Sequence, residues 1–255
     1  MSNRNQVHEV LALRMKEVPS GARVLTMMSA DSGIIEAFIF GGPKSKLRSL
    51  ASPWGSGRAF LYHDPVRDFL KLSDFEVIEP FSGLRESLRR IMGANLIAEL
   101  LIKSSGGGGD FPEVLGLARD CLRSLEGLPE SRADYPLLLF IWRLVEILGL
   151  MPDLQCCIDC GKDFAPGAGR VWRSQEGGFS CPACDPSGFD RGGAAFISAG
   201  AYRWLERATG EPFAKAFAVT LDSPSLAGLR RFCFAVARNA VDGPLEALTT
   251  GAGIL

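Results

Sequence analysis

The chain has 255 residues, 47% of them hydrophobic, and a formal net charge of -1; so much apolar mass fills more than one core, and two or three folded units are expected. A near-neutral molecule is not drawn as a whole to nucleic acid or an anionic membrane, so any polyanion site must be a local patch. Met1 to Gln6 is polar and charges interrupt the next segment, which excludes a secretory leader pattern and points to a cytoplasmic protein.

From Val7 to Val77 short β runs alternate with turn chemistry: Val7–Leu13, Val24–Met28, Ile34–Phe40, Arg58–Tyr62 and Phe69–Val77. Pro19-Ser20-Gly21, Asp31-Ser32-Gly33, Gly41-Gly42-Pro43 and His63-Asp64-Pro65 supply the breaks, and β-branched and aromatic residues fill the runs. Five short strands predict a small OB-like β-barrel over residues 1–80, although an SH3-like barrel would give the same pattern. After Glu79-Pro80 the period changes, with Ser82 as the expected N-cap of a helix carrying Leu84, Leu88, Ile91, Met92 and Leu96.

This helical region extends over 81–153. Gly106 to Gly109 breaks it, a second helix follows with Val114, Leu117, Ala118, Cys121, Leu122 and Leu125 on one face, and Tyr135-Pro136 opens a third that ends at Gly149. Leu137 to Met151 is the most apolar segment, but it is shorter than the roughly 20 residues a membrane span needs and contains Arg143 and Glu146. It reads as a buried helix, and no membrane role is expected.

Seven cysteines are present, and four form two Cys-x-x-Cys pairs, Cys157/Cys160 and Cys181/Cys184, inside a Gly- and Pro-rich segment over 154–190 that has too little apolar area to fold alone. A two-residue gap lets both thiolates of a pair reach one tetrahedral ion, and two pairs close the site, so one structural Zn2+ per chain is expected. A thiol–disulfide redox motif, the rival for Cys-x-x-Cys, normally occurs singly at a helix start. Val171-Trp172-Arg173 and Gly177-Gly178-Phe179 suggest a hairpin between the pairs. Cys156 is a bystander by spacing, with replacement of a ligand as its alternative, and Cys121 and Cys233 fall on apolar helix faces as small hydrophobes. Over 191–255 further helices are expected, one capped by Ser198 and a last one with Leu226, Leu229, Cys233, Val236 and Ala240 facing a core; they should pack with the first helical region, making the whole an α+β multi-domain chain.

Two features bear on ligands. Between Gly41 and Tyr62 the chain carries Lys44, Lys46, Arg48 and Arg58 with no acidic residue, interleaved with Trp54, Phe60 and Tyr62, a composition suited to phosphate neutralisation and base stacking. Ordinary solvated loop charges with the aromatics filling the barrel is the plainer reading of the same residues. Catalytic templates are missing: there is no nucleophile elbow, no phosphate-cradling Gly-x-x-x-x-Gly-Lys, and the two histidines, His8 and His63, have no local partner that would make them bases. No enzyme is expected.

The run Arg143 to Leu154, leading directly into Cys157-Ile158-Asp159-Cys160-Gly161 and then Gly177-Gly178-Phe179-Ser180-Cys181, resembles the bacterial RecO family, and so does the order barrel, helices, four-cysteine insert, helices. Val24-Leu25-Thr26, Ser32-Gly33 and Gly42-Pro43-Lys44-Ser45-Lys46 are similar to that family's second and third barrel strands and basic loop. The resemblance implies a non-catalytic DNA repair and recombination mediator at the nucleoid. Such a mediator binds single- and double-stranded DNA, promotes annealing, and assists RecA loading with RecR and single-strand-binding protein. It places DNA contacts on Lys44, Lys46, Arg48 and Arg58, and it offers Arg230, Arg231 and Arg238 as a partner site for the acidic tail of single-strand-binding protein. The chain departs from the pattern in its first barrel loop, Met15 to Gly21, which lacks the usual Gly-Glu, and at Ser52-Pro53-Trp54. A zinc-stabilised protein-interaction module with weak or no DNA binding is the alternative from another class.

Overall fold

The computed structural model describes residues 4–19, 21–40, 46–185, 195–241 and 243–255. The chain divides into two compact units, residues 1–130 with 245–255 and residues 131–244.

The first unit opens with five strands, β1 (Asn5–Glu17), β2 (Arg23–Ser29), β3 (Gly33–Ile39), β4 (Ser56–Asp64) and β5 (Phe69–Glu79). They close in the order β1-β2-β3-β5-β4, with β4 pairing back onto β1. All neighbours are antiparallel except β3 and β5, which meet in parallel at Phe38 and Lys71. That crossover is the OB order and excludes an SH3-like meander. Strand alternation makes the core: Val10, Ala12, Leu25, Met27, Ala37, Ile39, Ala59, Leu61, Leu72 and Phe75 point inward and fill the barrel. A short helix, α1 (Lys46–Leu50), packs Leu47 and Leu50 onto the same core.

The β4–β5 register shifts between Ser56 and Gly57 and again between Phe60 and Leu61. At the first shift the strands approach so closely that a Cβ on residue 57 would lie 1.9 Å from the carbonyl oxygen of Glu76, so only glycine fits. Gly57→Ala is expected to cost about 3 kcal/mol in urea unfolding through forced separation of β4 and β5; an unchanged midpoint would mean that the two strands separate freely there.

Ser82 does not start a helix. Phe81, 2% exposed, enters a 3-10 turn at Ser82–Glu86 with φ 44, and this buried ring in a left-handed conformation delays the helix by a turn. Ser87 is the cap instead: its Oγ accepts from the Arg90 N–H at the head of α2 (Leu88–Lys103). Asp110 caps α3 (Phe111–Gly127), accepting from Glu113 N–H at 3.2 Å. Arg119 of α3 reaches the barrel, with Nε donating to Ser56 Oγ at 2.6 Å and the guanidinium paired with Glu9, while Arg123 holds Glu79 of β5 through two bonds of 2.5 and 2.9 Å.

The second unit contains α4 (Asp134–Ile147), the strands β6 (Arg170–Arg173), β7 (Gly178–Ser180) and β8 (Ala195–Ile197), and the helices α5 (Ala199–Gly210), α6 (Phe213–Ala216) and α7 (Ser223–Ala240). The expected hairpin is β6–β7, and β8 adds to its other side, giving the order β7-β6-β8. Ser198 caps α5 as expected, and Asp222 caps α7. The core is aromatic: Phe232 of α7 lies 5.8 Å from Trp142 of α4 and 5.2 Å from both Trp172 and Phe179 of the hairpin. The apolar α4 is thus a core helix, and no helix of the described residues is long and apolar enough to cross a membrane.

The last helix, α8 (Glu246–Thr250), returns to the first unit. Glu99 of α2 accepts the backbone N–H groups of Glu246 and Ala247, both at 2.8 Å, so a carboxylate meets the first turn of α8, where donors are unsatisfied.

Candidate functional site

The four paired cysteines converge. Cys157, Cys160, Cys181 and Cys184 bring their Sγ atoms within 4.8 Å of one another, and they are the group of this kind found among the described residues. The backbone of each pair explains why. In the first, Cys157 N–H donates to Lys162 O and Phe164 N–H to Gln155 O, making a narrow ribbon, and Gly161, at φ 68, turns so that its N–H reaches Cys157 O at 2.9 Å. In the second, the N–H groups of Cys184 and Asp185 both donate to Cys181 O at 3.0 Å. The hairpin carries one pair to the other: Ile158 N–H bonds Phe179 O at 2.9 Å, and Ser180 Oγ donates to Asp159 at 2.5 Å.

The donor chemistry fits a cation. Burial pushes the Cys157 thiol up, but backbone N–H groups of Cys160, Cys181 and Asp159 outweigh it and bring the thiol down to about 6; the Cys181 N–H lies 3.2 Å from the sulfur. Donors aimed at a sulfur stabilise a thiolate, the form that ligates metal. Cys184 is pushed up to about 12 by the thiols of Cys181 and Cys160 beside it. These four residues are able to hold one metal ion with every tetrahedral position filled by protein, which leaves none for substrate. Cys156 is not part of the group: its thiol donates to Asp163 at 3.2 Å, a contact that raises its pKa. Cys121 and Cys233 are fully buried, and burial raises both thiols.

The basic residues between Gly41 and Tyr62 that are described fall on two elements, α1 and β4. Lys44 lies outside the described residues. Lys46 is exposed at the start of α1, and Arg48 belongs to the same helix. Arg58 projects from β4, where its guanidinium is 2.8 Å from Glu76 of β5 and shares its charge with that carboxylate. Trp54 serves the barrel: its φ is 68, its backbone N–H donates to Ala12 O at 2.7 Å, and the Arg85 guanidinium lies 5.2 Å from its ring. Phe60 and Tyr62 do not fill the barrel; their neighbours Ala59 and Leu61 do, so these two rings point outward on β4. On α7, Leu229, Phe232, Cys233 and Val236 are buried while Arg231 and Arg238 are exposed and Arg230 half-buried.

One surface group escaped the sequence reading: Phe38, Phe40, Phe69 and Lys71 on the outer side of β3 and β5. The signal was present in the alternation, since Phe38 and Phe40 share parity with the exposed Glu36 and not with the buried Ala37 and Ile39.

Residues 85–249 match the family model described as Recombination protein O C terminal. The chain is 29% identical over 211 residues to the DNA repair protein RecO of Anaeromyxobacter sp. (strain Fw109-5), covering 82% of this chain and 80% of that one. It is 26% identical over 226 residues to the DNA repair protein RecO of Symbiobacterium thermophilum, covering 87% and 86%. Against the protein of that name from Synechococcus sp. (strain JA-3-3Ab) it is 25% identical over 194 residues, and the match spans 69% of this chain and 62% of the relative.

Proposed function

The chain belongs to the RecO family of recombination and DNA repair proteins, and from that premise we propose that it is a non-catalytic mediator that binds single- and double-stranded DNA. It promotes annealing and assists RecA loading together with RecR and single-strand-binding protein. The observation that carries this reading is the family match joined to a closed five-stranded barrel of OB order, an architecture used repeatedly to hold single strands. Lys44, Lys46, Arg48 and Arg58 supply phosphate contacts, with Arg58 the weakest of them because Glu76 already neutralises it. The cysteine group holds Zn2+ as a structural ion, since four thiolates in a closed set suit zinc and give no catalytic position. Arg230, Arg231 and Arg238 receive the acidic tail of single-strand-binding protein on the exposed side of α7.

The test is binding of a fluorescent, unstructured oligonucleotide across a salt series. Wild type is expected to bind more weakly as salt rises, and Lys44→Ala/Lys46→Ala/Arg48→Ala to lower affinity at every salt concentration and flatten the slope by about two. A triple variant that binds like wild type would remove the loop from the site. The Arg58–Glu76 pair and the net charge of -1 favour the second reading, a zinc-stabilised protein-interaction module; wild type that fails to bind at low salt, with zinc present, would establish it in place of the first.

A further inference from the structure

The barrel puts aromatic rings where a water-facing surface has no use for them. Ala37 and Ile39 lie in the core, so Phe38 and Phe40 face outward; Leu70 and Leu72 pack inward, so Phe69 and Lys71 face outward beside them. Register aligns the rest: Tyr62 of β4 is opposite Lys71 of β5, and Lys71 is opposite Phe38 of β3. The Phe38 and Phe40 rings are near-parallel at 17°, with centroids 6.1 Å apart, and Phe69 meets Phe38 edge-on at 5.2 Å and Phe40 at 6.0 Å. Lys71 Nζ lies 6.0 Å from the Phe40 ring. Phe40 is 46% exposed.

We infer that this face of β3 and β5 is a stacking platform for unpaired bases of single-stranded DNA, with Lys71 as its phosphate contact; the inference rests on the DNA-binding reading above. Flat π faces with a cation among them complement a nucleotide, which offers a base face and a charged phosphate together. Phe38 near the end of β3 and Phe40 directly after it are two residues apart, about 6.6 Å of rise in extended chain, so each ring meets a separate base of an extended strand. A duplex hides its base faces, and the platform therefore selects single strands. Carboxylates border the platform and each has a partner: Asp64 accepts the N–H groups of Val66 and Arg67, which hold its carboxyl below the usual range and so anionic, Asp68 lies 3.0 Å from His63, and Glu36 accepts from Thr26 Oγ1; Lys71 is the cation among the rings.

The experiment compares fluorescence anisotropy of labelled oligo(dT) and of a blunt duplex at one salt concentration, with circular dichroism melts confirming that each variant folds. Phe40→Ala/Phe69→Ala is expected to weaken oligo(dT) binding at least tenfold while leaving duplex binding within twofold. Phe40→Tyr keeps the π face and should bind like wild type, whereas Phe40→Leu keeps only apolar area and should not. Lys71→Ala should lower the single-strand salt slope by about one. Unchanged oligo(dT) binding by the double alanine variant would overturn the platform and leave the patch to a protein partner. Wild type that binds neither probe would overturn the DNA-binding reading beneath it.

Discussion

Cys181→Ser is expected to abolish metal binding at the four-cysteine group and lower the melting temperature by more than about 10 °C. Between α4 and Asp185 the chain is loops, turns and two strands of three and four residues, and a structural zinc contributes its binding free energy directly to the folding of such a segment. A loss of several kcal/mol translates into that shift at about 2–4 °C per kcal/mol for a chain of this size. Cys181 is the informative ligand because serine there removes one sulfur while keeping the backbone N–H that residue 181 gives to Cys157 Sγ, so the effect reads the ligand alone. Cys156→Ser is the control, and its thiol, bonded to Asp163 outside the group, should be dispensable for both metal content and melting. Elemental analysis beside a thermal melt reads both at once. Full metal in the Cys181 variant would refute the ligand set, and metal lost from the Cys156 variant would show that Cys156 had taken a ligand's place.

The second large effect is expected at Phe232. Its ring is fully buried among Trp142, Trp172 and Phe179, and it joins α7 and α4 to the hairpin. Phe232→Ala should cost about 4 kcal/mol in denaturant unfolding, as transfer and cavity terms add. Trp172 and Phe179 are cross-strand partners, and Phe179 O anchors the first cysteine pair through Ile158. The same variant should therefore release its metal faster to a chromophoric chelator. Phe232→Leu, which leaves a smaller void, should fall between. A Phe232→Ala cost under about 1 kcal/mol would mean that the hairpin does not depend on α7.

The barrel, the cysteine group and most helices were legible because each has a local signal. β-branched and aromatic runs between turn residues marked the strands, two-residue gaps marked the ligands, and Ser198 sat where a cap should. Ser82 misled because it and Ser87 are both serines ahead of apolar residues at helical spacing; what separates them is the buried Phe81 ring, a tertiary fact. Strand β8 is three residues long and exists through pairing with β6, so no periodicity announces it. Arg58 looked like a free cation because its neutralising partner, Glu76, lies on another strand and becomes adjacent only through the bulged register of β4 and β5. Trp54 looked like a stacking residue for the same reason: Arg85, which covers it, is distant in sequence.

Glu99 and the first turn of α8 imply an order of events during synthesis. The barrel, α2 and α3 leave the ribosome first, yet the helix that occupies the carboxylate of α2 is translated only after the whole of residues 131–244. Until then Glu99 keeps Lys103, one turn along the same helix, as its ion-pair partner, and the flank of α2 beside it faces water. Closure of the early unit thus waits on completion of the later one. A ribosome stalled before Leu245 would display a closed barrel beside an α2 whose Glu99 flank is uncovered, a state that chaperones and proteases meet before any DNA does.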